Sequence, residues 1–201
     1  MDSKTDSKKK RDWDAYYRDL NIGSEIPEPV RVLREYAYLL PAKGEALDIA
    51  CGLAGNAFFL ARQGLETSAW DSAEFALRRV REIARTHKLS LQLEQRDVEQ
   101  RPPAKNSFDV LVVSRFLSRP LANKLITALR PNGLLFYQTF MLEKSPDIGP
   151  SNPKFLLQNN ELLRLFADLR LLVYKELGFV GDKRQGLRNE ALLVARKELT
   201  L

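Results

Sequence analysis

The chain has 201 residues and is poor in the side chains that build reactive or cross-linked sites, with one cysteine, Cys51, and one histidine, His87. A single cysteine excludes an internal disulfide framework and points to a reducing compartment such as the cytosol. One cysteine and one histidine also leave too few ligands for a cysteine- or histidine-built metal centre. No cluster of oxygen ligands suggests another, so no metal is expected. No apolar run approaches a membrane span, and the start, Met1-Asp2-Ser3-Lys4, is charged without an apolar segment behind it. Neither membrane insertion nor secretion is therefore expected. Also missing is a basic stripe interleaved with stacking aromatics, the usual footprint of nucleic-acid binding. Part of the net charge of +6 comes from Lys8-Lys9-Lys10-Arg11. Residues 1–11 read as a disordered basic tail and residues 12–201 as a single domain. Elsewhere, as in Arg78-Arg79-Val80-Arg81-Glu82, basic residues mix with acidic ones on what reads as an exposed helix face.

What is present begins with Ala46-Leu47-Asp48-Ile49-Ala50-Cys51-Gly52-Leu53-Ala54-Gly55-Asn56. An apolar strand runs into a tight turn of small residues and then into an apolar helix. Small residues let the backbone approach a ligand closely, and the helix offers its first N–H groups. The third glycine of the dinucleotide pattern is missing, and Asp48 stands in the strand end. A pyrophosphate has no use for a carboxylate there, whereas a ligand with an amino group does. The loop reads as a cradle for a nucleoside with a cationic tail.

The rest of the chain alternates. Helices are expected over residues 12–19, from Pro27 or Pro29 onward through Val30, Leu33, Tyr36 and Ala37, over 56–62, from a Ser72 cap to about His87, over 120–129 and over 161–167. Strands are expected over 46–50, 66–70, 89–95, 108–113, 134–140, 169–176 and 191–197. Continuous rather than alternating hydrophobicity in the central strands means a parallel sheet covered on both faces, a doubly wound α/β fold. The last two strands lack a helix between them and must be antiparallel neighbours.

In doubly wound sheets, ligands bind beyond the carboxyl ends of the strands, where strand order reverses. Asp48, Asp71 and Asp97 fall at three such ends. Singly, Asp71 could belong to a helix cap and Asp97 to a turn. Together they could serve the amino group, the ribose hydroxyls and the adenine amino group of one extended nucleoside. Arg115 and Arg119, past the fourth strand, could clamp an anionic acceptor or pair with Asp97, Glu99 or Asp109. Trp13, Tyr16 and Tyr17 could shield a ligand or form an apolar helix face. His87 reads as a solvated helix end, and Cys51 as a small packing residue. Residues 143–157, rich in Pro, Gly, Ser and Asn, read as a lid, with residues 178–188 and Tyr16 or Tyr17 as walls.

These motifs resemble the class I S-adenosylmethionine-dependent methyltransferases. The segment from Leu47 to Gly55 looks like their first motif, Asp71 the acidic ribose ligand, and Asp97-Val98 the adenine-contacting pair. Phe108-Asp109-Val110-Leu111 looks like their fourth strand, and Leu129-Arg130-Pro131-Asn132-Gly133-Leu134-Leu135 the approach to the fifth. The resemblance implies a seven-stranded, mostly parallel Rossmann-like sheet with an antiparallel last strand. It also implies S-adenosylmethionine as cofactor, held by Asp48, Ala50, Gly52, Gly55, Asn56, Asp71, Ser72, Asp97, Val98 and Ser114. Trp13-Asp14-Ala15-Tyr16-Tyr17-Arg18, Arg115-Phe116-Leu117-Ser118-Arg119-Pro120-Leu121 and Ser151-Asn152-Pro153-Lys154-Phe155-Leu156-Leu157 are similar to the small bacterial tellurite-resistance and thiopurine methyltransferases, with Ser118 where that group carries histidine. The implied activity is methyl transfer to a small-molecule acceptor, such as a soft sulfur, selenium or tellurium nucleophile. An RNA or protein methyltransferase and a non-catalytic cofactor-binding module are the alternatives.

Overall fold

The computed structural model describes residues 12–20 and 23–199; the basic tail expected over 1–11 lies outside them. Seven strands form one sheet in the order β3-β2-β1-β4-β5-β7-β6. They are β1 (Glu45–Ile49), β2 (Glu66–Asp71), β3 (Gln92–Gln95), β4 (Phe108–Ser114), β5 (Leu129–Phe140), β6 (Arg170–Lys175) and β7 (Glu190–Arg196). The first five run parallel, and β7 is antiparallel to both β5 and β6. The expected sheet, including its antiparallel last strand, is present.

Alternation along each strand sends side chains to two apolar layers, which is why the central strands read as unbroken apolar runs. Leu47, Ile49, Leu111, Val113, Leu135 and Leu193 pack on one face with Leu125 of α5 (Ala122–Ala128) and Leu162 of α6 (Glu161–Leu165). Ala46, Val110, Val112, Phe136, Leu192 and Val194 pack on the other with Val32 and Leu33 of α2 (Arg31–Glu35) and Leu60 of α3 (Gly55–Arg62). Phe58 of α3 also meets Leu77, Val80 and Ile83 of α4 (Glu74–Thr86). A short α1 (Trp13–Asp19) lies against α4.

Several boundaries differ from the sequence reading. Helix α4 is capped at Ala73 without any side-chain bond, and Ser72 is exposed. The first-turn N–H of Phe75 goes instead to the Asp14 carboxylate, and Asp71 Oδ1 takes the N–H of the cap residue Ala73 at 2.8 Å. The fifth helix is preceded by a 3-10 turn (Arg119–Leu121), and its expected stop signal, Arg130-Pro131-Asn132-Gly133, is the irregular first part of β5. The third strand begins at Gln92, three residues later than expected.

The segment ahead of α2 crosses over the start of α3. A Cβ on Gly55 would lie 2.7 Å from the Pro27 carbonyl oxygen and 2.9 Å from that of Glu28. Both are backbone atoms, so neither can swing away. Gly55→Ala is therefore expected to destabilise the protein by about 1–3 kcal/mol, the usual range for overpacking, read as a lower urea midpoint at unchanged slope.

Candidate functional site

Strand order reverses between β1 and β4, so the cleft beyond their carboxyl ends has two halves. On the β1–β2–β3 side lies the small-residue loop. Ala50, Gly52 and Ala54 all take left-handed backbone angles, with φ of 52°, 54° and 57°. For alanine that conformation costs roughly 1–2 kcal/mol, which the surrounding structure must offset. Gly52 is required for a second reason, because any Cβ there would collide with the Tyr17 hydroxyl. Tyr17 thus sits on the loop, carried by α1. That helix is capped by Asp12, which accepts from Ala15 N at 3.0 Å, and is tied to α4 by Asp14, whose Oδ1 accepts from Phe75 N at 2.7 Å. Trp13, Tyr16 and Tyr17 stack edge to face and tilted, with centroids 5.1–6.4 Å apart. Burial and then the Asp71 charge push the Tyr17 phenol well above its usual range.

The three acids occupy adjacent strand tips but in different settings. Asp71, buried, accepts from Gly52 N at 2.7 Å through Oδ2 and from Ala73 N through Oδ1, so it locks the loop to β2. Asp97 lies in the turn after β3. Its Oδ1 accepts from Glu99 N at 3.1 Å and its Oδ2 from Gln100 Nε2 at 3.2 Å, while Val98 is buried beside it. Asp48 has different neighbours from the expected ammonium group. It is fully buried on the α3 face, Oδ1 accepting from Asn56 Nδ2 at 3.1 Å and Oδ2 from Ala57 N at 3.2 Å. There it lies beneath the first turn of α3, where a carboxylate complements the helix dipole. Asn56 also donates to Ser114 Oγ at 3.0 Å, and its Oδ1 accepts from Val30 N at 2.9 Å. The structure thus places Asn56 and Ser114 in a strap joining β1, β4, α3 and the segment ahead of α2.

Past β4, the two arginines separate. Arg119 is consumed by the protein: Nε and Nη2 bond both oxygens of buried Glu161, while Nη1 and Nη2 donate to the carbonyls of Lys154 and Leu156. This clamps the end of the 143–157 segment onto α6. The same segment is tied to the 178–188 link, since Phe179 N donates to Glu143 Oε1 at 2.8 Å, and to β7's entry, since Ser145 N donates to Asn189 Oδ1 at 2.8 Å. Arg115 also has a left-handed backbone, φ 52°, and its Nε meets Glu190 Oε1 at 3.2 Å. Arg115 pairs with Glu190 and Arg119 with Glu161 rather than with the expected acids, and Asp109 holds Arg130 at 2.7 Å.

Two functional-edge residues escaped the sequence reading. Buried Gln138 donates to Glu190, and its Oε1 accepts from Val32 N at 2.8 Å. The signal for Gln138 was a polar residue inside an apolar strand run, which buried strands carry only when partnered; Glu190, at the first position of β7, had none. The sole histidine, His87, ends α4, with Nε2 3.0 Å from the Ser24 carbonyl oxygen. Cys51 is buried in the loop, and burial raises its thiol pKa, as suits a packing residue. Concavities of about 360 Å³ beside Arg81, Arg85 and Lys88, and of about 350 Å³ beside Pro41, Asp109 and Gly133, lie away from the loop.

Residues 46–133 match the methyltransferase-domain family. That match spans less than half of the chain. No curated protein matches it. Among solved structures, TehB from Haemophilus influenzae is similar at 20% identity and a TM-score of 0.66, over 92% of this chain and 66% of TehB, just under two thirds of that protein. A S-adenosylmethionine-dependent methyltransferase from Methanosarcina mazei is similar at 18% identity and a TM-score of 0.65, over 87% of this chain and 100% of that one. A third, described for conversion of a disulfide bond into a thioacetal group during echinomycin biosynthesis, is 22% identical with a TM-score of 0.69, over 92% of each chain. At these identities the likeness speaks for the fold.

The donor half of the cleft fits the S-adenosylmethionine that the sequence resemblance implies. Asp71 is a buried carboxyl held by the backbone N–H groups of Gly52 and Ala73, and burial raises its pKa. A carboxyl held this way by neutral donors keeps lone pairs for the hydroxyl groups of a ligand.

Burial pushes the Asp48 carboxyl up to about 8, against the Asn56 and Ala57 hydrogen bonds. A raised acid means that the native state holds a proton the unfolded chain has lost. Stability is thus full below the ordinary carboxyl range near ~4, falls as pH rises toward about 8, and levels off above it. Denaturant titrations of the cofactor-free protein at pH 5, 6.5 and 8 are expected to show this decline. Asp48→Asn should remove its share of the slope, up to ~1.4 kcal/mol per pH unit.

Proposed function

We propose that this chain is an S-adenosylmethionine-dependent methyltransferase acting on a compact small-molecule acceptor, a soft sulfur, selenium or tellurium nucleophile. The observation that carries the reading is the composition of the acceptor half. Ser114, Arg115, Gln138 and Glu190 stand at the ends of β4, β5 and β7. Glu190, the one carboxylate among them, already accepts from Arg115 and Gln138. The chain's histidine lies at the far end of α4. An amine or hydroxyl acceptor needs a base to remove its proton, whereas a thiolate, selenolate or reduced oxyanion does not. The Asn-Pro-Pro-Tyr or Asp-Pro-Pro-Tyr tetrad is also absent after β4, where Ser114-Arg115-Phe116-Leu117 stands. The likeness to TehB, at the level of fold, is compatible with such an acceptor.

S-adenosylmethionine supplies, when bound, a methyl group already activated on a sulfonium. The chain's own task is then alignment and exclusion of water, and positioning can contribute roughly 7–11 kcal/mol to such a barrier. In this reading Asp71 receives the ribose hydroxyls. Each of its oxygens accepts one backbone N–H and retains a second lone pair for a hydroxyl donor. Asp97 and Val98 meet the adenine, Ala50, Gly52 and Gly55 shape the loop around the ligand, and Ser72 flanks Asp71. Tyr16 and Tyr17 close the donor side, and the 143–157 segment closes the acceptor side.

The positive net charge favours a second reading, an RNA methyltransferase. Retention on bulk tRNA that survives deletion of residues 1–11 would support it over the small-molecule reading.

Asp71→Ala is expected to weaken S-adenosylmethionine binding by at least tenfold by calorimetry, roughly the loss of one charge-assisted hydrogen bond or more. Unchanged affinity would remove Asp71 from the site. In parallel, thiols, selenite, tellurite and heterocycles with labelled cofactor should give S-adenosylhomocysteine for at least one soft nucleophile. Tight cofactor binding with no turnover across that panel would favour a non-catalytic module.

A further inference from the structure

We propose that Arg115 is the acceptor-selecting residue of this site and that it selects for an anion, a carboxylate or an oxyanion borne by the methyl acceptor. The inference rests on the reading that the acceptor lies beyond β4, and it adds the charge that this acceptor carries.

Three observations converge on it. First, the backbone at Arg115 is held in a left-handed turn directly at the tip of β4, with its N–H donating to the Gln138 carbonyl oxygen at 2.8 Å. A left-handed non-glycine residue costs roughly 1–3 kcal/mol and persists only where surroundings over-determine it, commonly at ligand sites. Second, the side chain is braced from behind. Nε donates to Glu190 Oε1, while Glu190 Oε2 accepts from Gln138 Nε2 and Gln138 Oε1 accepts from Val32 N. Glu190 and Gln138 are 7% and 2% exposed, so the brace is a buried polar chain reaching from α2 to the guanidinium. Third, the working end is open. The Arg115 side chain is 67% exposed, and its two terminal nitrogens have no hydrogen-bond partner among the described residues. Arg119 provides the contrast, since Glu161 and two carbonyls take its Nε and both terminal nitrogens.

A braced guanidinium with both Nη groups facing solvent presents a planar fork that matches a carboxylate or oxyanion. Glu190 neutralises part of the charge from the protein side. The attraction is therefore carried mainly by the two outward N–H donors rather than by net charge, and a preference of about tenfold is expected, near the ~1.5 kcal/mol of a charge-assisted hydrogen bond.

The test uses the full chain saturated with S-adenosylhomocysteine and two probes of equal shape, 3-(methylthio)propanoate and its neutral amide, 3-(methylthio)propanamide, titrated by calorimetry at low salt. The carboxylate should bind about tenfold more tightly than the amide. In Arg115→Gln the two should become equal, and Arg115→Lys should restore only part of the difference, because a lysine keeps the charge without the fork. S-adenosylhomocysteine affinity should stay unchanged in both variants, showing that the fold is intact. Equal affinities in the parent chain, binding of neither probe, or a preference that survives in Arg115→Gln overturns the proposal. Failure of the soft-nucleophile reading is separate, since it appears in the turnover screen and leaves this binding difference measurable.

Discussion

The carboxamide of Asn56 is the connection on which the site depends. A primary amide offers one acceptor oxygen and two donor hydrogens, and here all are used. The oxygen takes Val30 N, and the nitrogen reaches Asp48 on β1 and Ser114 on β4. Those two strands flank the point where strand order reverses, the line along which the cleft opens. One side chain, 5% exposed, therefore fixes the spacing of the cleft's two halves and the roof segment above them. Buried networks of this kind are stable only when every member is satisfied. Removing Asn56 would leave Asp48 with a single partner in an environment that already disfavours its charge. The glycine before it follows from the same arrangement, because the roof segment's carbonyls occupy the space a Cβ would need.

The acceptor half repeats this construction with other residues. Gln138 does for β5 and β7 what Asn56 does for β1 and β4, taking Val32 N on its oxygen and giving its nitrogen to Glu190. Val30 and Val32, two residues apart on one short stretch, thus donate to the two amides that organise the two halves. A shift of the α2 entry would be felt by the loop and by the Arg115 brace together. This gives a physical route by which the donor and acceptor halves keep a common register, through backbone N–H groups held by buried side chains rather than through surface contacts.

How much was readable in the sequence follows from the range of each interaction. The strands were legible because burial on both faces leaves near-continuous apolar runs, and Leu47, Leu111, Val112 and Leu135 sit where those runs put them. The small-residue turn and the acid after β2 were legible because a sharp strand-to-helix turn needs local residues. The Ser72 cap failed for a distant reason, since the first-turn N–H of Phe75 goes to Asp14, 61 residues away, and Asp71 holds the N–H of Ala73. Asp48 reads as a ligand group from its place at a strand end, but its face decides its neighbours. Period-two alternation sets it with Ala46, toward α3. The arginine partners could not be read at all, because Glu161 and Glu190 lie 42 and 75 residues away from them. Gln138 has no local signature beyond being polar where its neighbours are not, and Glu190, 52 residues away, has none.

The electrostatic character of the donor half is the remaining step. Burying a carboxyl without a cation is unfavourable, and the usual protein solution is an arginine or lysine partner. At Arg119 and at Arg130 the chain uses that solution, with Glu161 and Asp109. At Asp48 and Asp71 it uses backbone N–H groups and an amide instead, and both acids keep raised pKa values. Neutral donors hold the carboxyls in place while leaving their charge uncompensated. A cationic ligand entering that half meets Asp71 already oriented, and it favours the ionised form of Asp71 by the same margin by which that ionisation favours the cation.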